Sequence, residues 1–157
     1  MEYTALIFDT CLDETDSYEN LIQTITLYKN DENCKQIVVS CCEEWMLKLA
    51  MTPIKKVLLV KMAKAPYMAL LNGLKAVSQE NVIVNGLSMF PTKLSIQKLL
   101  EALEKYPAIY IDNDLQAYDT RLLMFSLQVA IERNLVIENY SQAVASLSDT
   151  PLQHIER

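Results

Sequence analysis

Five short apolar runs, each separated from the next by residues at helical spacing, set the limits on what this chain can fold into. They are YTALIF at 3–8, QIVVS at 36–40, KVLLVK at 56–61, VIV at 82–84 and AIYI at 108–111. Each is too short for a helix and rich in β-branched or aromatic residues, as buried strands are. The stretch 18–28 puts Leu21, Ile22, Ile25 and Tyr28 on one face, with Asp16 or Ser17 as its cap. Residues 43–50 open with two acids that suit the positive end of a helix, and Pro53 stops them. Residues 65–77 carry Pro66 in a first turn, where a missing N–H costs nothing. Thr92 caps 93–105, whose Ile96, Leu99, Leu100 and Leu103 form an apolar stripe. Residues 119–133 are strongly periodic. A short extended piece at 135–137, a last helix at 140–147 and an edge strand at 151–155 complete the pattern. Strands alternating with helices predict an α/β domain, a three-layer Rossmann-like sandwich with a mainly parallel central sheet. The chain of 157 residues suits one domain over 1–157, and its 51% apolar content is enough for a core.

Composition removes several functions. The formal net charge of −6 argues against nucleic acid as a partner. No apolar run reaches the roughly 18 residues of a membrane span. The opening MEYTALIFDT has no basic leader, so a cytoplasmic protein with no membrane attachment is expected. Gly73 and Gly86 are the only glycines. A G-x-G-x-x-G loop, a Walker loop and a G-x-S-x-G elbow are therefore absent. Cys11, Cys34, Cys41 and Cys42 lack C-x-x-C spacing and read as buried reduced thiols, with zinc or a redox pair as the alternative.

The stretch 72–103 is where an open α/β protein would place a ligand: a strand, a turn at Asn85-Gly86, then a helix. It offers an amide and a glycine where chemistry wants a carboxylate or a base. Asp9, Asp13 and Asp16 read either as a metal site at a strand end or as a solvated acidic loop with a helix cap; Cys11 breaks a D-x-D pattern. Lys55, Lys56, Lys61 and Lys64 read as a solvated flank or as an anion site. His154, the sole histidine, reads as a surface or edge-strand residue rather than half of a catalytic dyad. Trp45 either packs under the sheet edge or anchors a partner.

The order of pieces resembles the 2-C-methyl-erythritol 4-phosphate cytidylyltransferase family and its relatives acting on ribitol phosphate, of the nucleotide-diphospho-sugar transferase fold. The family's G-G-x-x-R-x-x-S-V-x-N-G-L is similar to residues 62–74. Asn72-Gly73-Leu74 is kept there, while Met62-Ala63, Pro66 and Ala69 replace the glycines, the arginine and the serine. Its V-x-H-D-x-x-R-P-F falls on 82–90, so the aspartate that helps hold magnesium becomes Asn85 and the arginine becomes Ser88. The following helix is intact at Ile96, Leu99 and Leu100. The A-A-G-x-G-x-R-M loop around the CTP phosphates falls on Asp9-Thr10-Cys11-Leu12, with neither glycine nor arginine. The P-K-Q signature is absent. The family's L-x-x-T-L-x-x-F helix looks like 21–28, and its Q-T-P-Q-A-F looks like 113–118, with Gln116 kept. T-D-D-A falls near 140–143 without its acids. The terminal N-I-K-x-T strand has no counterpart, and no room exists between Ile111 and Asn113 for the family's dimer arm.

Drift erodes core and site alike, yet here the apolar patterns survive while the charged and glycine positions are gone. The resemblance therefore implies the family's fold without its catalysis, in a protein acting through a protein partner or its own dimer, with no cofactor. The alternative is a residual nucleotidyltransferase moving CMP from CTP to a sugar-alcohol phosphate with magnesium. A third reading is a small-ligand binder at the strand ends. The vestigial site would gather Asp9, Asn85, Gly86, Ser88, Gln116 and Arg121, either bonding a small ligand or filling a closed cleft, and it would hold no metal.

Overall fold

The computed structural model describes residues 1–8, 18–61, 66–86, 91–112, 115–135, 144 and 152–156. Its elements in chain order are β1 (Tyr3–Phe8), α1 (Tyr18–Lys29), β2 (Cys34–Cys41), α2 (Glu43–Met51), β3 (Val57–Lys61), α3 (Pro66–Leu74), β4 (Asn81–Gly86), α4 (Lys93–Leu103), β5 (Ala108–Asp112), β6 (Leu115–Asp119), α5 (Thr120–Glu132) and β7 (Gln153–His154). The strands form one sheet in the order β3-β2-β1-β4-β6-β5-β7. Pairing is parallel across β3, β2, β1 and β4 and between β5 and β7, and antiparallel on both sides of β6. The α/β fold with a mainly parallel sheet is thus as expected. The sequence reading of 119–133 and 151–155 holds, and the helix proposed at 140–147 lies outside the described residues apart from Val144.

Period-two alternation divides the core between the two faces of the sheet. Tyr3, Ala5 and Ile7 of β1 share one face with Ile37, Val39 and Ile83, beneath Leu21, Ile25, Tyr28, Leu49, Ile96 and Leu99 of α1, α2 and α4. Leu6 and Phe8 share the other face with Val38, Val82 and Val84, beneath Leu70, Leu74, Leu123 and Leu127 of α3 and α5. Asn72-Gly73-Leu74 has a packing role here. A Cβ on Gly73 would stand 2.8 Å from Leu6 Cδ1, so any larger residue must displace that buried side chain for α3 to lie this close to β1.

Two polar ties fix the edges of this frame. Gln36 Oε1 accepts from the Thr4 hydroxyl and from Ser78 N and Oγ, while its Nε2 donates to Ala76 O, fastening the α3–β4 connection onto β2. Lys56 Nζ donates to the carbonyls of Cys34 at 2.9 Å, Lys29 at 3.2 Å and Asp31 at 3.4 Å. Lys56 is therefore no solvated flank. Its ammonium caps the negative end of α1 from a backbone at φ 73°.

Two segments depart from the sequence reading. Residues 115–119 form a strand that the pattern LQAYD conceals, because polar Gln116 interrupts it. Asn85 and Gly86 are strand, not turn: they extend β4 beside Ile7 and Phe8 of β1. Only residues 113–114 separate β5 from β6, so the hairpin carries no arm. Among the described residues, no helix is long and apolar enough to cross a membrane.

Candidate functional site

The strand order reverses between β1 and β4, and open α/β sheets bind ligands in the crevice at the carboxyl ends of such a pair. Phe8 and Gly86 lie side by side there. The chain leaves β1 and β4 through 9–17 and 87–90, so Asp9, Asp13, Asp16 and Ser88 lie outside the described residues, as does Lys64. The described floor is made by the strand ends themselves.

Asn85 dominates that floor. It pairs with Ile7 on one side and Leu115 on the other, and is fully buried. Its Oδ1 accepts the Tyr28 hydroxyl at 2.7 Å, and its Nδ2 donates to Gly86 O at 2.6 Å. Both ends of the amide are engaged within the protein. Burial, then the nearby Cys34 and Asp31, hold the Tyr28 hydroxyl well above its usual pKa, so it stays a neutral donor.

Gln116 does not join Asn85. It pairs with Val84, one position out of step, and points to the opposite face of the sheet. Its Oε1 accepts the Tyr118 hydroxyl and its Nε2 donates to Asp112 O at 3.2 Å. Burial raises the Tyr118 pKa.

Arg121 is further away still. Because β6 is antiparallel, Asp119 pairs with Asn81 at the amino end of β4. Arg121 follows Asp119 into α5, so it sits at the wrong end of the sheet for the crevice. Its side chain is 83% exposed and its guanidinium lies 3.6 Å from the Asp119 carboxylate, whose Oδ1 caps α5. The expected convergence of Asn85, Gln116 and Arg121 thus reduces to Asn85 beside Gly86.

Charge stands only at the margins of the described floor. Lys61 ends β3 on one flank and Asp112 ends β5 on the other, five strand spacings apart, or about 24 Å. Asp112 is an acid the sequence reading passed over, although it directly follows an apolar run. Between these flanks Ser40, one residue before the end of β2, pairs with Phe8 and is fully buried, its hydroxyl with no partner among the described residues. The N-terminus of α4 is closed on itself: Ser95 N donates to Thr92 Oγ1 and Thr92 N to Ser95 Oγ.

Cys11 lies outside the described residues, and the described cysteines and His154 are placed by packing. Burial raises the Cys34 pKa, and Cys41 is buried. On the edge strand β7, His154 Nε2 lies 3.2 Å from Ile111 O, and its ring packs against Tyr110 of β5. Trp45 packs edge-on against Tyr18. Among the described residues, no group of three His, Cys, Asp or Glu is placed to hold a metal.

No protein-family model and no curated protein sequence matches the chain. Solved structures do. A 4-diphosphocytidyl-2C-methyl-D-erythritol synthase from Anaerococcus prevotii matches with a TM-score of 0.82 over 99% of this chain and 87% of its own, at 13% identity. The fold is that of the methylerythritol phosphate cytidylyltransferases. The 2-C-methyl-D-erythritol 4-phosphate cytidylyltransferases of Thermus thermophilus and Francisella tularensis match with TM-scores of 0.77 and 0.79, at 16% and 13% identity. They too are covered almost whole, at 89% and 90%, each by 99% of this chain. Identity this low shows the cytidylyltransferase fold alone. A magnesium ion, which the resemblance assigns to this position, does not fit at Asn85. The amide is uncharged, and its oxygen already takes the Tyr28 hydroxyl.

Proposed function

We propose that this protein keeps the cytidylyltransferase fold without nucleotidyl transfer, and acts in the cytosol through contact with a protein partner or with a second copy of itself. The observation that carries this reading is Asn85. At the position where the resemblance puts a magnesium aspartate, a neutral amide is tied into the core by Tyr28 and Gly86. Triphosphate transfer needs charge neutralisation and open donors, and the self-capped start of α4 offers few. Contact is supported by exposed apolar side chains. Leu47 and Met51 of α2 are 63% and 84% exposed, and Leu58 on the edge strand β3 is 45% exposed.

The test is pyrophosphate release from CTP with magnesium and either 2-C-methyl-D-erythritol 4-phosphate or ribitol phosphate. The expected result is no release above the protein-free control; sustained release would establish the residual transferase instead. Light scattering during size-exclusion chromatography separates self-association from a foreign partner. A second reading, small-molecule binding at the same strand ends, is favoured by the buried hydroxyl of Ser40, which has no partner among the described residues. Removing that hydroxyl with Ser40→Ala would weaken such a ligand and leave protein contacts unchanged.

A further inference from the structure

Away from the crevice, α1 and α4 both lie on the sheet and hardly touch each other. Between them runs a groove of about 490 Å³. Its long wall is a single stripe of α4, from Lys93 through Ile96 and Leu100 to Glu104, about 16 Å at 1.5 Å per residue. Its floor is apolar: Leu27 of α1 with Ile96 and Leu100. Its far end is acidic, with Asp31 and Glu32 after α1 facing Glu101 and Glu104 at the end of α4.

Two observations say what this groove is built to take. The first is charge. Four carboxylates face one lysine, Lys93, and among the described residues no lysine or arginine lies within ion-pair distance of any of the four. The second is placement. Glu101 sits in the last turn of α4, which holds no basic residue, and Glu104 at its C-cap, with Lys105 following; Gln97 Nε2 donates to Glu101 Oε1 at 3.2 Å, a neutral partner that leaves the charge in place. Acids at the negative end of a helix work against the helix. A locally unfavourable choice that no ion pair among the described residues offsets suits a residue kept for something outside the chain.

We infer that the α1–α4 groove docks a segment of a partner protein that carries aliphatic anchors beside a cluster of lysine or arginine. The aliphatic side chains lie on Leu27, Ile96 and Leu100, and the basic cluster meets Asp31, Glu32, Glu101 and Glu104. A second copy of this chain is the poorer occupant, because two molecules of net charge −6 repel. The elongated shape suits a peptide better than a compact ligand. This inference rests on the reading that the protein works through a partner, and it names the chemistry of that partner.

The experiment is selection of phage-displayed random dodecapeptides on the immobilised protein, followed by anisotropy titration of the enriched peptides. The expected winners pair Leu, Ile or Met with clustered Lys/Arg, compete with one another, and weaken steeply as salt rises. They bind Glu101→Lys/Glu104→Lys about tenfold or more weakly, and Glu101→Gln/Glu104→Gln by an intermediate amount. Both acids are exposed, so neither variant disturbs the core. Should the reversed pair fail to fold, the salt dependence and the glutamine pair carry the result. Winners without basic residues, winners that bind all variants equally, or a concentration-dependent dimer that excludes the peptides would overturn the proposal. So would spermidine saturating the groove with no peptide enriched. Pyrophosphate release is measured separately: turnover would defeat the non-catalytic reading, whereas failed selection without turnover defeats only the groove.

Discussion

Tyr28 and Asn85 lie 57 residues apart and meet through one hydroxyl under α1. Tyr28→Phe leaves the Asn85 oxygen without its donor, and should cost about 1–3 kcal/mol in urea unfolding. Asn85→Asp is the more telling change. It puts a carboxylate oxygen where the amide now donates to Gly86 O at 2.6 Å, so an attraction becomes a repulsion inside the core. The variant should lose about 2–4 kcal/mol and gain no CTP turnover. Turnover by this single change would mean that the crevice still holds everything else a transferase needs. Lys56 supplies a third case. Lys56→Met removes a charged donor from three carbonyls, and about 1.5–3 kcal/mol of stability should go with it.

The helices illustrate which parts of the structure the residues announce. Thr92 was legible as the cap of α4 from its position before an apolar stripe, and it forms a reciprocal pair with Ser95. Thr92→Ala should lower the unfolding free energy by about 1 kcal/mol. Gly73 was legible only as a retained motif; its cause is Leu6. Gly73→Ala adds helix propensity, yet its methyl meets a fully buried leucine at 2.8 Å. The net effect should be a loss of about 1 kcal/mol in thermal or urea melts.

Apolar periodicity exposed β1 to β5 and the five helices α1 to α5 of the described residues, because each buries a recognisable face. It missed β6, where a buried Gln116 breaks the alternation, and it read Asn85-Gly86 as a turn from a dipeptide preference that pairing with β1 overrides. The missed strand explains the misplaced site. Without the reversal at β6, Arg121 stays at the crevice; with it, Arg121 moves to the opposite end. Long-range partners such as Tyr28 for Asn85 leave no trace in local spacing.

At the scale of the whole molecule, burial of phenols sets the response to alkali. Burial raises the pKa of Tyr3, Tyr28 and Tyr118 above the ordinary value near 10. The folded state therefore keeps protons that the unfolded state releases, so their contribution is intact below about pH 10 and falls as pH rises beyond it. Each tyrosine adds a slope of about 1.4 kcal/mol per pH unit, and three together would exhaust an ordinary stability within a few units. Urea midpoints followed by the fluorescence of Trp45 from pH 8 upward should show this fall. Tyr118→Phe should reduce the slope by about one third.

The proposal that a cytidylyltransferase fold is kept here without nucleotide chemistry belongs to the same scale. Calorimetric titration of the protein with CTP and magnesium to millimolar concentration addresses it most directly. The expected result is no saturable heat and no rise in melting temperature at the end of the titration. A saturable isotherm that disappears when magnesium is withheld would contradict it.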